Sequence, residues 1–232
     1  MQPINKAMLK DIGLSFEIYR KNVESLISIH EDTTAIREAK VIQLDREIEE
    51  WSANNTGRPV DEIGSIRDQW LEEYFHYKHH FDYLLLHSLY ISIFSMFENH
   101  LHRMVEILYK GAAPLIKPQD MKGNGEIDTL RKYISIVFDL KSASSDLASW
   151  GDILEYKAIR NALVHSGCRL NRELKPNKDK VRGYRKVLEH DIWHSSEAIY
   201  LRMRNEKPLK GFFESSLNFL TGVQEELDRH AA

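Results

Sequence analysis

The sequence contains a single cysteine, Cys168, among its 232 residues. A disulfide framework and a zinc site built from several cysteines are therefore excluded. The N-terminus, Met1–Lys6, also lacks the basic start and the following apolar core that a secretory signal peptide requires. We therefore expect a protein that stays in the cytoplasm.

A surplus of positive charge is equally absent, because 35 acidic residues outnumber 32 basic residues and the formal net charge is −3. The whole molecule is therefore not a general nucleic-acid binder, and any nucleic-acid site must be a local basic patch. Hydrophobic residues make up 42% and charged residues 29% of the chain, which is typical of a globular protein. Its length suits one good-sized core, or one domain with a helical extension.

Sequence motifs of several large enzyme classes are missing. The chain has no G-x-G-x-x-G, Walker or G-x-S-x-G string, so dinucleotide-binding, P-loop and α/β-hydrolase folds lack support. His76, His79 and His80 have a spacing that suits zinc on a helix, but no H-E-x-x-H string includes them. We interpret them as surface histidines and expect neither a metal nor another cofactor.

The hydrophobic periodicity near the N-terminus indicates helices. Apolar residues recur every three or four positions over residues 5–31 and again over residues 33–52. These two short seams predict a helical hairpin, which we assign to an N-terminal extension covering residues 1–60. A helical-bundle domain is then expected over residues 61–232.

Residues 81–97 form a run with almost no charge, within a region of helical character that extends over residues 61–109 with a kink near 74–80. The run includes Asp82 and His87, and it is shorter than the ~20 apolar residues of a transmembrane span. We therefore predict a buried central helix of a bundle and no membrane segment.

Three further helices are predicted over residues 126–139, 146–166 and 208–229. Between the last two, the alternating residues 198–204 allow at most a minor β-hairpin near residues 185–204. The predicted fold class is therefore all-α, with helices that run up and down a bundle.

The most informative stretch is Arg160–Gly167, which reads RNALVHSG. Gly167 occupies the place of a helix-terminating glycine. On a helical wheel at ~100° per residue, apolar residues occupy one side of this helix, and the polar residues fall within an arc of ~140° on the other. Those polar residues are Lys157, Arg160, Asn161 and His165.

An arginine, a polar residue, three further residues and a histidine, placed late in an all-helical chain, resemble the motif of the HEPN superfamily. The resemblance covers residues 70–230 and implies a HEPN-like helical bundle, in which two copies place their motif helices face to face. Many HEPN proteins are ribonucleases. The toxin sub-type of the family adds a tyrosine shortly after the histidine, whereas Ser166, Gly167 and Cys168 follow here, so the chain departs from that sub-type.

The resemblance implies a metal-independent endoribonuclease whose catalytic residues are Arg160, Asn161 and His165. A histidine titrates in the range that proton transfer needs, and an arginine fork matches the oxygens of a phosphate. Cleavage through the ribose 2′-hydroxyl requires no metal in principle. The candidates for binding RNA phosphates are Lys157, Arg169 and Arg172. Glu98 is a candidate for orienting Arg160.

The family resemblance further implies a homodimer, an RNA substrate and a role as a toxin or antiphage effector that an inhibitory antitoxin or defence-system partner controls. Two alternatives remain open, namely a non-catalytic HEPN-like module that binds a partner protein or nucleotide, and a helical protein with a chance motif. The position of His165 discriminates between them. A nuclease requires His165 partly exposed near Arg160, whereas its burial against apolar residues would exclude catalysis.

Overall fold

The computed structural model describes residues 4–55, 60–170, 181–192 and 199–231. Over these ranges the chain forms seven α-helices, and an isolated β-bridge joins Arg169 to Tyr200. The predicted all-α fold class is therefore confirmed. The helices are α1 (Lys6–Asn54), α2 (Val60–Phe75), α3 (Phe81–Ala112), α4 (Glu126–Val137), α5 (Ala148–His165), α6 (Tyr184–Glu189) and α7 (Lys207–Ala231).

The first helix, α1, continues without interruption through the position where the sequence predicted a turn. The predicted hairpin of helices over residues 5–31 and 33–52 is therefore wrong. Residues 31–35 contain neither glycine nor proline, and Thr33 Oγ1 donates a hydrogen bond to Ile29 O at 2.6 Å, a bond that threonine makes inside a helix. A shift in the apolar pattern does not end a helix when every backbone hydrogen bond can continue.

The helical pair that does form joins the C-terminal half of α1 to α2. The rings of Trp51 and Trp70 meet edge to face with their centroids 5.6 Å apart, and Lys40 Nζ lies 3.4 Å from Glu73 Oε1. Between α2 and α3, His76–His80 form a π-turn in which the Phe81 N–H donates to His76 O. This turn lies where the sequence predicted a kink.

The central helix of the core is α3, and residues 81–97 form its first half, as predicted. The rings of Phe94 and Phe212 stack with their centroids 4.8 Å apart, which joins α3 to α7. Trp150 of α5 contacts Phe219 of α7 in the same core. No helix in the described part of the chain combines the length and the apolar character needed to cross a membrane.

Two buried hydrogen bonds fix α1 and α5 against this core. Tyr19 Oη lies 2.6 Å from Ser216 Oγ, which ties α1 to α7, and Tyr90 Oη donates to Tyr156 O at 2.8 Å, which ties α3 to α5. A buried polar group without a partner costs ~1–3 kcal/mol, so these bonds favour one arrangement of the helices. The helix that carries the motif is therefore tied to α3 at Tyr156.

The segment after α5, residues 168–170, pairs with residues 199–201. Arg169 and Tyr200 form an antiparallel bridge, and the Leu201 N–H donates to Cys168 O at 2.7 Å. Within the span where the sequence allowed at most a minor hairpin, residues 185–204, the chain forms most of α6, and Tyr200 pairs with Arg169. Residues 193–198 lie outside the described ranges.

Candidate functional site

The motif lies on the last turns of α5, where one face is buried and the opposite face is polar. Ile159 and Ala162 are buried in the core, while His165 is exposed at the C-terminal end of the helix. The chain then leaves the helix through Gly167 and Cys168, whose φ angles of 58° and 64° are left-handed. The Cys168 N–H donates to Ala162 O at 2.9 Å, which closes the helix end.

Arg160 is the centre of the polar cluster. Its Nη1 donates to Asn161 Oδ1 at 3.2 Å and lies 3.4 Å from His165 Nε2. Its Nη2 lies 3.6 Å from Glu98 Oε2 on α3, and its guanidinium carbon lies 5.8 Å from the centroid of the Phe94 ring. The guanidinium therefore contacts all three polar side chains, with its inner edge against an aromatic ring.

Glu98 is largely buried beside this guanidinium, with 19% of its side chain exposed. Burial raises the pKa of Glu98, and the neighbouring charge of Arg160 opposes that rise. A largely buried carboxylate next to an arginine restricts the directions in which the guanidinium can point. Glu98 is therefore placed to orient Arg160 toward the exposed end of α5.

Lys157 lies at the other end of the polar edge. Its Nζ lies 3.5 Å from Asn124 O, in the loop before α4, and a Cβ added to Gly125 would lie 2.8 Å from the same Nζ. Gly125 has a φ angle of 99°, so this close approach also depends on glycine for its backbone conformation. The loop at Asn124 therefore lies against the Lys157 ammonium in a backbone conformation that favours glycine at position 125.

Two residues near Glu98, His102 and Glu126, were not among the site residues predicted from the sequence. His102 Nε2 on α3 lies 2.5 Å from Glu126 Oε1 in the first turn of α4, and both charges act on Glu98. His102 is four residues from Glu98 and thus lies on the same face of α3. The helical spacing of Glu98 and His102 was the available signal, whereas the contribution of α4 depends on tertiary packing.

A polar pocket of about 410 Å³ opens beside Asn161. Arg131 fixes one wall by donating from Nη2 to Asp128 Oδ1 at 2.9 Å. The pocket is large enough for a phosphate or a base and joins the polar edge of α5. Its polar lining residues include Asn124, Asp128, Arg131, Lys157, Asn161 and Arg182.

The remaining sequence candidates are distributed around this cluster. The structure brings together Glu98, Arg160, Asn161 and His165, while Lys157 lies one helical turn before Arg160. Arg169 is exposed on the segment that follows α5. Arg172 lies outside the described residues.

Metal-ligating side chains do not gather in the part of the chain that the structure describes. No group of three or more His, Cys, Asp or Glu residues within those ranges is arranged to hold a metal ion. His102 and Glu126, near Glu98, contact each other directly. The chemistry that this site offers is therefore that of an arginine, a histidine, an amide and a carboxylate.

Comparison with known proteins gives no match: no family model, no curated protein and no solved structure is similar to this chain. Function must therefore be inferred from the chemistry of the cluster around Arg160 and from the short motif that supplies it.

Proposed function

We propose that this protein is a metal-independent endoribonuclease of HEPN type that cleaves RNA through the ribose 2′-hydroxyl. The observation that carries the proposal is the contact of one guanidinium with both a carboxylate and an exposed histidine, since Arg160 lies 3.6 Å from Glu98 and 3.4 Å from His165. His165 is not buried against apolar residues, which is the condition that catalysis requires. The all-α bundle agrees with the family that the motif resembles.

The reaction forms a bond between the 2′-oxygen and phosphorus and breaks the bond between phosphorus and the 5′-oxygen. His165 accepts the proton of the 2′-hydroxyl, because an exposed imidazole is suited to general-base catalysis. Arg160 stabilises the extra negative charge on the phosphate oxygens in the transition state. Asn161 holds one edge of the guanidinium through its Oδ1.

The leaving 5′-oxygen needs a proton, and one histidine rarely serves as both base and acid. We assign that proton to the same histidine of a second copy of the chain, in a homodimer that places two α5 helices face to face. In this arrangement the partner copy would cover Val164, which lies beside His165 and is 41% exposed in the single chain. Two paired motifs then line one cleft for an RNA strand.

In the cell, such an activity suits a toxin or antiphage effector, and a nuclease of this kind requires control by an inhibitory antitoxin or defence-system partner. A second candidate function is a non-catalytic module that binds a nucleotide or a partner protein. The pocket of about 410 Å³ beside Asn161, lined by Lys157 and Arg182, favours the nucleotide among these ligands. Cleavage is the property that separates the two candidates.

The test is incubation of the purified protein with a pool of tRNA and mRNA in EDTA, with product ends analysed for 2′,3′-cyclic phosphate. We expect cleavage that survives chelation and disappears in Arg160→Ala and in His165→Ala. His76→Ala, which changes an exposed histidine distant in sequence from the motif, is the control and should cleave normally. Failure of intact dimers to cleave any RNA, together with nucleotide binding, would favour the binding module.

A further inference from the structure

A second basic surface lies on the segment that pairs with the chain after α5. We call residues 168–170 and 199–204 the ribbon. Leu170 N donates to Ile199 O at 2.8 Å, and Leu201 N donates to Cys168 O at 2.7 Å. The Met203 N–H donates to Nε2 of the buried His87 at 3.3 Å, so a hydrogen bond attaches the ribbon to α3 at His87.

Buried and exposed side chains alternate along residues 199–204, as expected for an extended segment that lies on a core surface. Ile199, Leu201 and Met203 are buried, whereas the intervening side chains point outward. The outward residues are Tyr200, Arg202 and Arg204. Two arginines and an exposed tyrosine therefore stand in one row, with Arg169 opposite Tyr200 across the bridge.

Arg202 and Arg204 line a pocket of about 290 Å³ together with Lys78 of the π-turn. The acidic residue in the pocket wall is Asp82, and its carboxylate forms an ion pair with Arg37 of α1. The negative charge of Asp82 is thus offset by Arg37, and among the described lining residues three cations, Lys78, Arg202 and Arg204, face this one carboxylate. We call this cavity the Lys78 pocket.

Aromatic rings support two of these cations. The guanidinium carbon of Arg202 lies 4.3 Å from the centroid of the Tyr83 ring, and Lys78 Nζ lies 4.5 Å from the centroid of the Tyr74 ring. Tyr200 itself is 42% exposed. Cations held on aromatic faces beside an exposed ring are the combination that binds single-stranded nucleic acid, through phosphate contacts and base stacking.

The ribbon continues directly from the motif. Arg169 follows His165 by four residues, and its bridge to Tyr200 leads to Arg202 and the Lys78 pocket. Tyr83 and Glu98 are fifteen residues apart on α3, so a rise of 1.5 Å per residue separates them by about 22 Å along the helix axis. At ~100° per residue, the two residues also differ by only ~60° in direction around the helix axis, so they lie on nearly the same face of α3.

We propose that the ribbon and the Lys78 pocket bind the single-stranded RNA that flanks the scissile phosphate. This inference rests on the proposed ribonuclease function. A stacked strand rises by ~3.4 Å per nucleotide, so the distance of about 22 Å between Glu98 and Tyr83 along α3 corresponds to about six nucleotides. Tyr200 stacks a base, and Arg202 and Arg204 contact phosphates. An acidic peptide would satisfy the cations but would leave the exposed aromatic face without a planar partner.

The test measures binding apart from cleavage. Full-length protein is titrated with fluorescent 2′-O-methyl RNAs of about twelve and about four nucleotides, which lack the attacking hydroxyl, over a range of salt concentrations. The variants are Arg202→Gln/Arg204→Gln and the charge-neutral Tyr200→Ala. Arg103→Gln/Lys110→Gln removes two exposed cations of α3 that pair with Glu106, and it is the control for net charge. A polyglutamate peptide is the competing probe.

We expect the longer RNA to bind about tenfold or more tightly than the shorter one, and only in proteins with an intact ribbon. The slope of the logarithm of the binding constant against the logarithm of the salt concentration should become shallower by about 1.4 in the double arginine variant, because each single-strand phosphate contact contributes ~0.7. The control variant should keep the wild-type slope. Binding of the longer RNA without any cleavage of natural RNA would refute the nuclease and keep the ribbon site. Equal binding by wild type and both ribbon variants, or binding of polyglutamate instead of RNA, would overturn the inference.

Discussion

Arg160 Nη2 lies 3.6 Å from Glu98 Oε2, a separation that suits an ion pair and exceeds a good hydrogen bond. The contact leaves the other terminal nitrogen of the guanidinium directed at Asn161 and His165. Glu98 is thus placed to restrain the arginine electrostatically rather than through a short hydrogen bond. This relationship between two helices distinguishes the site from a solvated helix end.

The first prediction concerns that restraint. Glu98→Gln keeps the shape of the side chain and removes its charge, so Arg160 should remain present but less well oriented. We expect kcat for RNA cleavage to fall by about tenfold, equivalent to ~1.4 kcal/mol of barrier, whereas Arg160→Ala should lower kcat by about 100-fold or more.

The combined variant should cleave no more slowly than Arg160→Ala alone, because the two residues act as a unit. Glu106→Gln, an exposed glutamate on the same helix, should leave kcat unchanged; equal losses in both glutamate variants would contradict the orienting role.

A second prediction separates the shape of the arginine from its charge. Arg160→Lys retains one positive charge but loses the planar fork that contacts Glu98, Asn161 and His165 at once. We expect cleavage to fall by about 100-fold even though net charge is conserved. The matched change Arg103→Lys, at an exposed position on α3, should have no effect on single-turnover cleavage. Full activity of Arg160→Lys would mean that charge alone is needed.

The third prediction concerns stability toward acid. Burial lowers the pKa of His87 and of His100 to about 4, below the ordinary value of 6.5. As pH falls below 6.5, the unfolded chain binds protons that the folded chain does not, so the free energy of unfolding decreases until about pH 4. Each histidine contributes a loss of up to about 3 kcal/mol over that window.

Urea unfolding at about pH 7 and about pH 4.5 measures this loss. His100→Phe keeps a ring against Tyr19 and removes one titrating group, so roughly half of the loss due to the two histidines should disappear. The control is His76→Phe at an exposed site, which should keep the wild-type dependence. An unchanged dependence in His100→Phe would refute the assignment.

A fourth prediction compares two glycines inside helices. Nothing lies within 4 Å of a Cβ added to Gly151 of α5, so Gly151→Ala should stabilise the protein by about 0.5–1 kcal/mol. A Cβ at Gly211 of α7 would overlap Tyr156 Oη and the ring of His190, which form a buried hydrogen bond at 2.6 Å. Gly211→Ala should therefore destabilise by about 1–3 kcal/mol. Thermal unfolding decides both, and a shift in the same direction for the two variants would contradict the packing described.

Periodicity was sufficient to predict the motif helix and the helical class, because both depend on local patterns. The helix predicted over residues 146–166 is observed as Ala148–His165, and Gly167 takes the left-handed conformation that its position required. The continuity of α1 through Thr33 was not predicted, since a shift of the apolar seam looks the same whether the helix turns back or continues beside a new neighbour. The contacts of Lys157 with the loop at Asn124 join residues 33 apart, and local patterns carry no information on them.

The π-turn at His76–His80 gives the long helical rod from Val60 to Ala112 a rotational offset. Its wider hydrogen-bonded loop holds one more residue than an α-turn, which changes the angular phase of the side chains by ~100°. Trp70 thereby faces Trp51 before the offset, while Phe94 faces Phe212 after it. Deleting a single residue here would bring the two halves back into phase, and one of these two ring contacts would be lost.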